Sequence, residues 1–217
     1  KVFFKSIHYQ QDKNILTLEK LHLGKNLKID YLNNIKLDIF NTNNFKNSIS
    51  LQRNKKNYEI KGEILDADQL IQSILDSNDS KGISNFINEL NSSINIEIKK
   101  VYLDKLFPIE NLNGSIKYKA GNLVKADLNA YFTDNKIVKF TVNTNESNKK
   151  ITTFYSDYAK PFVNKYEFIE GFDGGSLDFY SIKDKTSSKS KLKLYDFKLK
   201  QLPALTKLLT LASLQGI

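Results

Sequence analysis

The chain has 217 residues, 40% hydrophobic and 26% charged, a balance that excludes a disordered segment and allows one large domain or two small ones. It contains no cysteine, which excludes disulfides, thiolate metal sites and cysteine nucleophiles; it contains no methionine either, so a piece of a longer protein is expected, with any leader or anchor upstream. The net charge of +9 invites nucleic acid as a partner, but Arg53 is the only arginine among 33 basic residues. Arginine is the usual residue for bidentate phosphate and guanine contacts. Here lysines stand at every second position of many strands, so solvated strand faces are expected and no nucleic acid.

The opening "KVFFKSIHYQ" reads as a strand already under way. Period-two alternation then recurs along the chain, the mark of strands with one apolar face. It sets Ile35, Leu37 and Ile39 on one side of residues 34–40, Ile49 and Leu51 in 47–52, and Tyr58, Ile60 and Ile64 in 57–65. Asp66 is suited to cap a helix over 67–77, where Leu70, Ile71, Ile74 and Leu75 fall at helical spacing, and 82–91 can continue it. Alternation returns in 93–100 with Ile94, Ile96 and Ile98. It continues in 123–132 with Val124, Ala126, Leu128 and Ala130, and in 136–144 with Val138, Phe140 and Val142.

After a polar hairpin loop, 144–150, comes a strand over 151–156. Asp157 is suited to cap a short helix with Pro161 in its first turn. "GFDGG", 171–175, predicts a tight turn before a strand bearing Leu177 and Phe179. A second polar loop, 183–191, leads into a lysine-studded strand. Pro203 then opens a last helix with Leu205, Leu208, Leu209 and Ala212 on one face. Residues 201–217 are too few and too interrupted to span a membrane, which takes about 20 mostly apolar residues.

Lys, Asp, Glu, Asn, Ser and Thr face each apolar row. Asn-Lys, Asn-Asn, Asn-Gly and Ala-Gly pairs punctuate the strands. Antiparallel sheets with one wet face read this way, whereas parallel sheets show continuous apolar runs. The fold class is mainly β with minor α: an antiparallel sheet with a few short amphipathic helices packed on it. Periodicity alone favours a closed sandwich core with helices as lids.

Chemistry-bearing patterns are few. His8 and His22 sit in predicted strands without cysteine ligands, so no metal is expected. "DSNDSKG", 76–82, resembles a calcium loop, but its glycine falls one place late and the twelfth position is Ile87 instead of Glu. "GFDGG" precedes a strand and so lacks the helix end that cradles phosphate. No Ser-His-Asp set and no paired carboxylates in an apolar setting are visible. No enzyme, no catalytic residue and no cofactor are expected.

From Ile151 onward the order of features is distinctive. A Ser-Asp step at 156–157 is followed by a short helix, then by Gly-Gly at 174–175 opening a strand. A strand ending in Asp-Phe-x-Leu follows, then Leu-Pro-x-Leu, then Leu-Leu-x-x-Ala-Ser-Leu-x-Gly-Ile. This resembles the C-terminal region of AsmA-like envelope proteins of the YhdP type. Upstream, "NYEIKGEILDADQLIQSIL" and "INIEIKKVYLDKLFPIENLNGSIKY" look like the central domain that precedes it. Tyr158 and Ala159 depart from the small residues, including a glycine, that the family carries after its Ser-Asp step.

The resemblance implies three segments of one continuous unit: strands only over 1–50, a central-type segment over 51–150 and the AsmA-like segment over 151–217, truncated at its end. It further implies a long, curled antiparallel sheet forming a groove. The groove candidates are Ile94, Ile96, Ile98, Val124, Leu128, Val138, Phe140, Val142, Leu177 and Phe179, with the helix bearing Leu205, Leu208, Leu209 and Ala212 over the groove mouth. The implied partners are phospholipid acyl chains, the inner membrane through an N-terminal anchor outside this chain, and outer-membrane components. The implied setting is the periplasm of a Gram-negative bacterium, and the implied role is non-catalytic phospholipid transport in support of the outer membrane. The alternative is a structural or interaction module of the envelope with a closed β core.

Overall fold

A computed structural model describes residues 1–25, 29–40, 45–68, 91–103, 106–165, 169–184 and 186–200. Thirteen strands follow in chain order: β1 (Val2–Gln11), β2 (Asn14–Leu23), β3 (Ile29–Tyr31), β4 (Asn34–Phe40), β5 (Lys46–Asn54), β6 (Asn57–Asp66), β7 (Ser93–Tyr102), β8 (Pro108–Lys119), β9 (Asn122–Phe132), β10 (Ile137–Thr144), β11 (Lys150–Ser156), β12 (Phe172–Lys183) and β13 (Ser188–Leu199). One helix, α1 (Lys160–Lys165), lies between β11 and β12. All thirteen strands belong to one open sheet, ordered β1-β2-β4-β5-β6-β7-β8-β9-β10-β11-β12-β13, with the short β3 beside β2. The expected mainly β fold is what the chain adopts, and the sheet does not close on itself.

Hairpins explain most of this order. A two-residue turn with Asp12 in the left-handed region joins β1 to β2, Lys55 does the same between β5 and β6, and Ala120-Gly121 between β8 and β9. One pair departs from the expected antiparallel pattern: β6 and β7 run parallel, with Tyr58 opposite Ile94 and Ile60 opposite Ile96. Residues 67–92 connect them, and a parallel pair needs a crossover of a dozen residues or more. The helices expected over 67–77 and 82–91 fall in this stretch, of which residues 69–90 lie outside the described residues. At its start the Asp66 carboxylate accepts the Asp68 amide at 3.0 Å, the contact a capping aspartate makes.

The sheet has no break at either segment boundary. β5 runs through residue 50, and the β10–β11 hairpin straddles residue 150. Two glycine motifs sit differently from expectation. Asn113-Gly114 lies inside β8 and makes no turn. Gly174 and Gly175, at φ of 72° and 70°, lie inside β12, where they turn the strand locally and leave the Gly175 carbonyl free to accept the Ala159 amide at 2.7 Å.

Helix α1 packs on the apolar face of the sheet. The Ser156 hydroxyl donates to the Tyr158 carbonyl and accepts the Tyr158 amide, a local turn that lifts the chain off β11. Ala159 and Val163 are fully buried, and the Phe162 ring meets Phe154 edge-on at 4.8 Å. Pro161 occupies the first turn, where its missing N–H costs nothing. Asp157 does not cap this helix, contrary to expectation. Its carboxylate accepts the Ile137 amide and the Tyr155 hydroxyl, which ties the end of β11 to the start of β10.

Candidate functional site

Cross-strand partners in a sheet share a face, so the pairing fixes what each face carries. One row crosses all twelve strands of the main path: Ile7, Leu18, Ile35, Leu51, Ile60, Ile96, Gly114, Leu128, Phe140, Phe154, Phe179 and Leu192. It contains no polar side chain. Its members from β1 to β12 are half-buried, and Leu192 on the outermost strand is exposed. At about 4.8 Å per strand the row is roughly 50 Å long.

Two flanking rows define its width. On the side toward α1, Ala130, Val138, Ser156, Leu177 and Leu194 run from β9 to β13. On the other side run Tyr58, Ile94, Ile116, Ala126 and Val142, continuing as Thr152, Ser181 and Ser190. The opposite face carries paired charges. Lys61 pairs with Glu59 at 3.1 Å, and Lys99 pairs with Glu63 at 2.9 Å.

The ten groove candidates divide by burial. Ile94, Ile98, Val138, Val142 and Leu177 are buried. Ile98 and Val138 belong to a core cluster with Val101, Ile109, Ala130 and Phe132, and Leu177 to a second with Ala159, Val163 and Phe172. Ile94 and Tyr58 form a third. Ile96, Val124, Leu128, Phe140 and Phe179 remain half-buried. Ile96, Leu128, Phe140 and Phe179 lie together on the central row. Val124 stands apart at a register shift, where Tyr118 pairs with Leu123 and Lys117 with Lys125. The expected helix bearing Leu205, Leu208, Leu209 and Ala212 falls on residues outside the described ones.

Among the described residues, α1 provides the cover over this face. Beyond its apolar contacts, Lys165 donates to the Asp68 carboxylate and to the Leu103 carbonyl at 2.5 Å, tying the helix to the ends of β6 and β7. Lys160 and Lys200 both donate to Asp173, at 2.7 and 2.8 Å, and together hold its carboxyl at about 2. Burial pushes the Tyr118 phenol up, in keeping with its place against Ile94 and Tyr58. A recess of about 260 Å³ beside α1 is lined by Phe107, Pro108, Phe132, Lys136 and Tyr158, with the exposed Leu106 at its rim.

A short helix with Pro161 in its first turn was expected here, but its buried residues were not singled out, because six residues containing a proline carry little helical periodicity. The signal that could have found them is the pair Ala159 and Val163, four apart, just after a Ser-Asp step. His8 and His22 do not converge. His8 meets the Thr17 hydroxyl at 3.2 Å, while His22 stacks on Tyr31 at 5.0 Å. Among the described residues no group of three or more His, Asp and Glu side chains is arranged to hold a metal, and no helix is long and apolar enough to cross a membrane. No family model, curated protein or solved structure matches the chain.

Proposed function

We propose that the apolar face of the sheet shelters phospholipid acyl chains and lets them move along it, making the chain a non-catalytic lipid conduit. The observation that carries this is the central row, unbroken by any polar side chain over twelve strands and half-buried over eleven of them. Water exacts about 0.8 kcal/mol for each exposed methylene of an acyl chain, on the order of 20 kcal/mol for a two-chain lipid. A continuous apolar row offsets that penalty through many weak contacts. Such contacts need no polar constellation and let the chain slide. The envelope setting, with an inner-membrane anchor outside this chain and outer-membrane components at the far end, is carried by the residue pattern of 151–217 alone.

A closed-core structural module is favoured by one observation, the burial of Ile98, Val138 and Leu177 on the same face. The two readings part at Leu128 and Phe140, which are half-buried and belong to none of the three core clusters. Site-specific photocrosslinkers at Ile96, Leu128, Phe140 and Phe179 are expected to capture phospholipid, and one at the outward-facing Lys117 is not. Equal capture at all five positions, or capture at Lys117 alone, would refute the conduit.

A further inference from the structure

The only arginine in the chain stands on the apolar face. Arg53 is opposite Tyr58, and Tyr58 is opposite Ile94, so it heads the flanking row that continues through Ile116, Ala126 and Val142. It is two residues from Leu51 of the central row, on the side of the sheet remote from α1. From β5 to β13, no other charged side chain occupies the central row or either flanking row.

Two tyrosine rings flank the guanidinium. The carbon Cζ lies 4.4 Å from the Tyr31 ring centroid and 5.8 Å from that of Tyr58. Tyr31 is itself stacked on His22, and His22 meets Phe3 edge-on at 4.7 Å. Both rings attract the cation through their π faces, without using its N–H donors. Nε donates to the Lys55 carbonyl at 2.8 Å. Among the described residues, no carboxylate forms an ion pair with Arg53. The terminal nitrogens therefore present the planar fork that suits a phosphate oxygen pair. Lys55 and Lys56 add two exposed cations in the adjoining turn.

We propose that Arg53, held between Tyr31 and Tyr58, is a phosphate site at the edge of the apolar face, which binds the headgroup phosphate of a lipid whose acyl chains lie on the central row. The lipid part rests on the conduit reading, while the phosphate chemistry stands on Arg53 alone. A headgroup fixed there sets one end of a bound chain beside Leu51 and Ile60. It also selects anionic phosphate-bearing lipids over neutral ones.

A single arginine makes the test direct, because arginine-selective isotope labelling gives one guanidinium Nε–H signal in the NMR spectrum. The probes are short-chain phosphatidic acid below its micelle concentration, diacylglycerol with the same chains, and inorganic phosphate. Phosphatidic acid is expected to shift the Arg53 signal saturably and to bind about tenfold more tightly than diacylglycerol, as one charge-assisted bidentate contact would give. Arg53→Gln is expected to abolish that preference and leave diacylglycerol affinity unchanged, and added salt is expected to weaken it. Arg53→Lys, which keeps the cation, is expected to retain part of it, and it serves if the Gln variant does not fold.

Equal affinity for the two lipids, with no shift of the Arg53 signal, would overturn the site while leaving the conduit standing. Failure of both lipids to bind would overturn the conduit and the lipid source. A saturable shift with inorganic phosphate would then assign the site to free phosphate, and its absence would remove the site altogether.

Discussion

Gly114 is the one interruption of the central row, and its replacement gives a graded test of how tightly β8 and β9 are packed. The residue has φ of 142°, and a Cβ there would lie 1.9 Å from the Asp127 carbonyl oxygen, 2.9 Å from its carbon and 3.0 Å from Leu128 Cα. All three atoms are backbone, so no side-chain rotation relieves the collision. Holding alanine at a glycine-only backbone angle costs about 1–3 kcal/mol. Separating the strands enough to admit the methyl group gives up about two ladder hydrogen bonds, at about 1 kcal/mol each. Gly114→Ala should therefore lose about 3–5 kcal/mol in total, a large share of a typical domain's stability. In a chain of this size that lowers the melting temperature by about 10 °C. The control is Gly174→Ala, where φ is 72° but nothing lies within 4 Å of the added Cβ. That variant incurs only the left-handed penalty, about 1–2 kcal/mol. Thermal unfolding followed by circular dichroism reads both. If Gly114→Ala melts level with or above Gly174→Ala, the close approach of β8 and β9 at this point is wrong.

Val163 is fully buried under α1, so Val163→Ala should lose about 1–3 kcal/mol, and hydrogen exchange should accelerate most in residues 160–165. Unchanged exchange there would mean that α1 is not held by this contact. Asp173 has a folded pKa of about 2 against 3.8 in the unfolded chain, so its pairing with Lys160 and Lys200 stabilises above pH 3.8 and is lost as pH falls toward 2. Asp173→Asn should flatten the acid limb of the stability curve in that window, and an unaltered limb would refute the pairing. Lys165→Met removes the donor that ties α1 to Asp68 and Leu103 and should lower the urea midpoint by about 1–3 kcal/mol equivalent, with partial recovery in Lys165→Arg. A midpoint equal to the parent protein would make that tie dispensable.

Alternation was the legible part of the molecule. The rows Ile94-Ile96-Ile98 and Val138-Phe140-Val142 follow from period two, and the pairing sets them on a common face because both belong to antiparallel ladders read in register. The parallel junction between β6 and β7 was not legible, because period two is blind to strand direction. Burial was not legible either. Ile94 and Ile96 look alike in the sequence, yet Ile94 is buried against Tyr58 while Ile96 stays half-exposed, a difference set by neighbours one strand away. Asn113-Gly114 looked like a turn because the dipeptide favours positive φ. Gly114 does adopt that angle, but inside β8, to let the Asp127 carbonyl approach. Arg53 was noted only for its rarity, since no spacing rule joins residue 31 to residues 53 and 58.

The width of the apolar face changes along the sheet, and this constrains any path over it. From β7 to β10 the flanking row remote from α1 is Ile94, Ile116, Ala126 and Val142, so two adjacent rows are apolar there. From β11 to β13 the same row becomes Thr152, Ser181 and Ser190, and the Ser190 hydroxyl donates to that of Ser181 at 2.9 Å. On the other flank, Leu177 is buried in a cluster with Ala159 and Val163 of the α1 segment. Between this polar border and the cover of α1, the half-buried Phe154 and Phe179 and the exposed Leu192 continue the central row. On the proposed conduit reading, an acyl chain crossing the sheet would have room beside the central row over β7 to β10 and would narrow to that row over β11 to β13. Polar groups on one side and a docked helix on the other would hold such a chain in register without a specific binding contact. Arg53, the one charged side chain in the central and flanking rows from β5 to β13, lies on β5, six strands from β11.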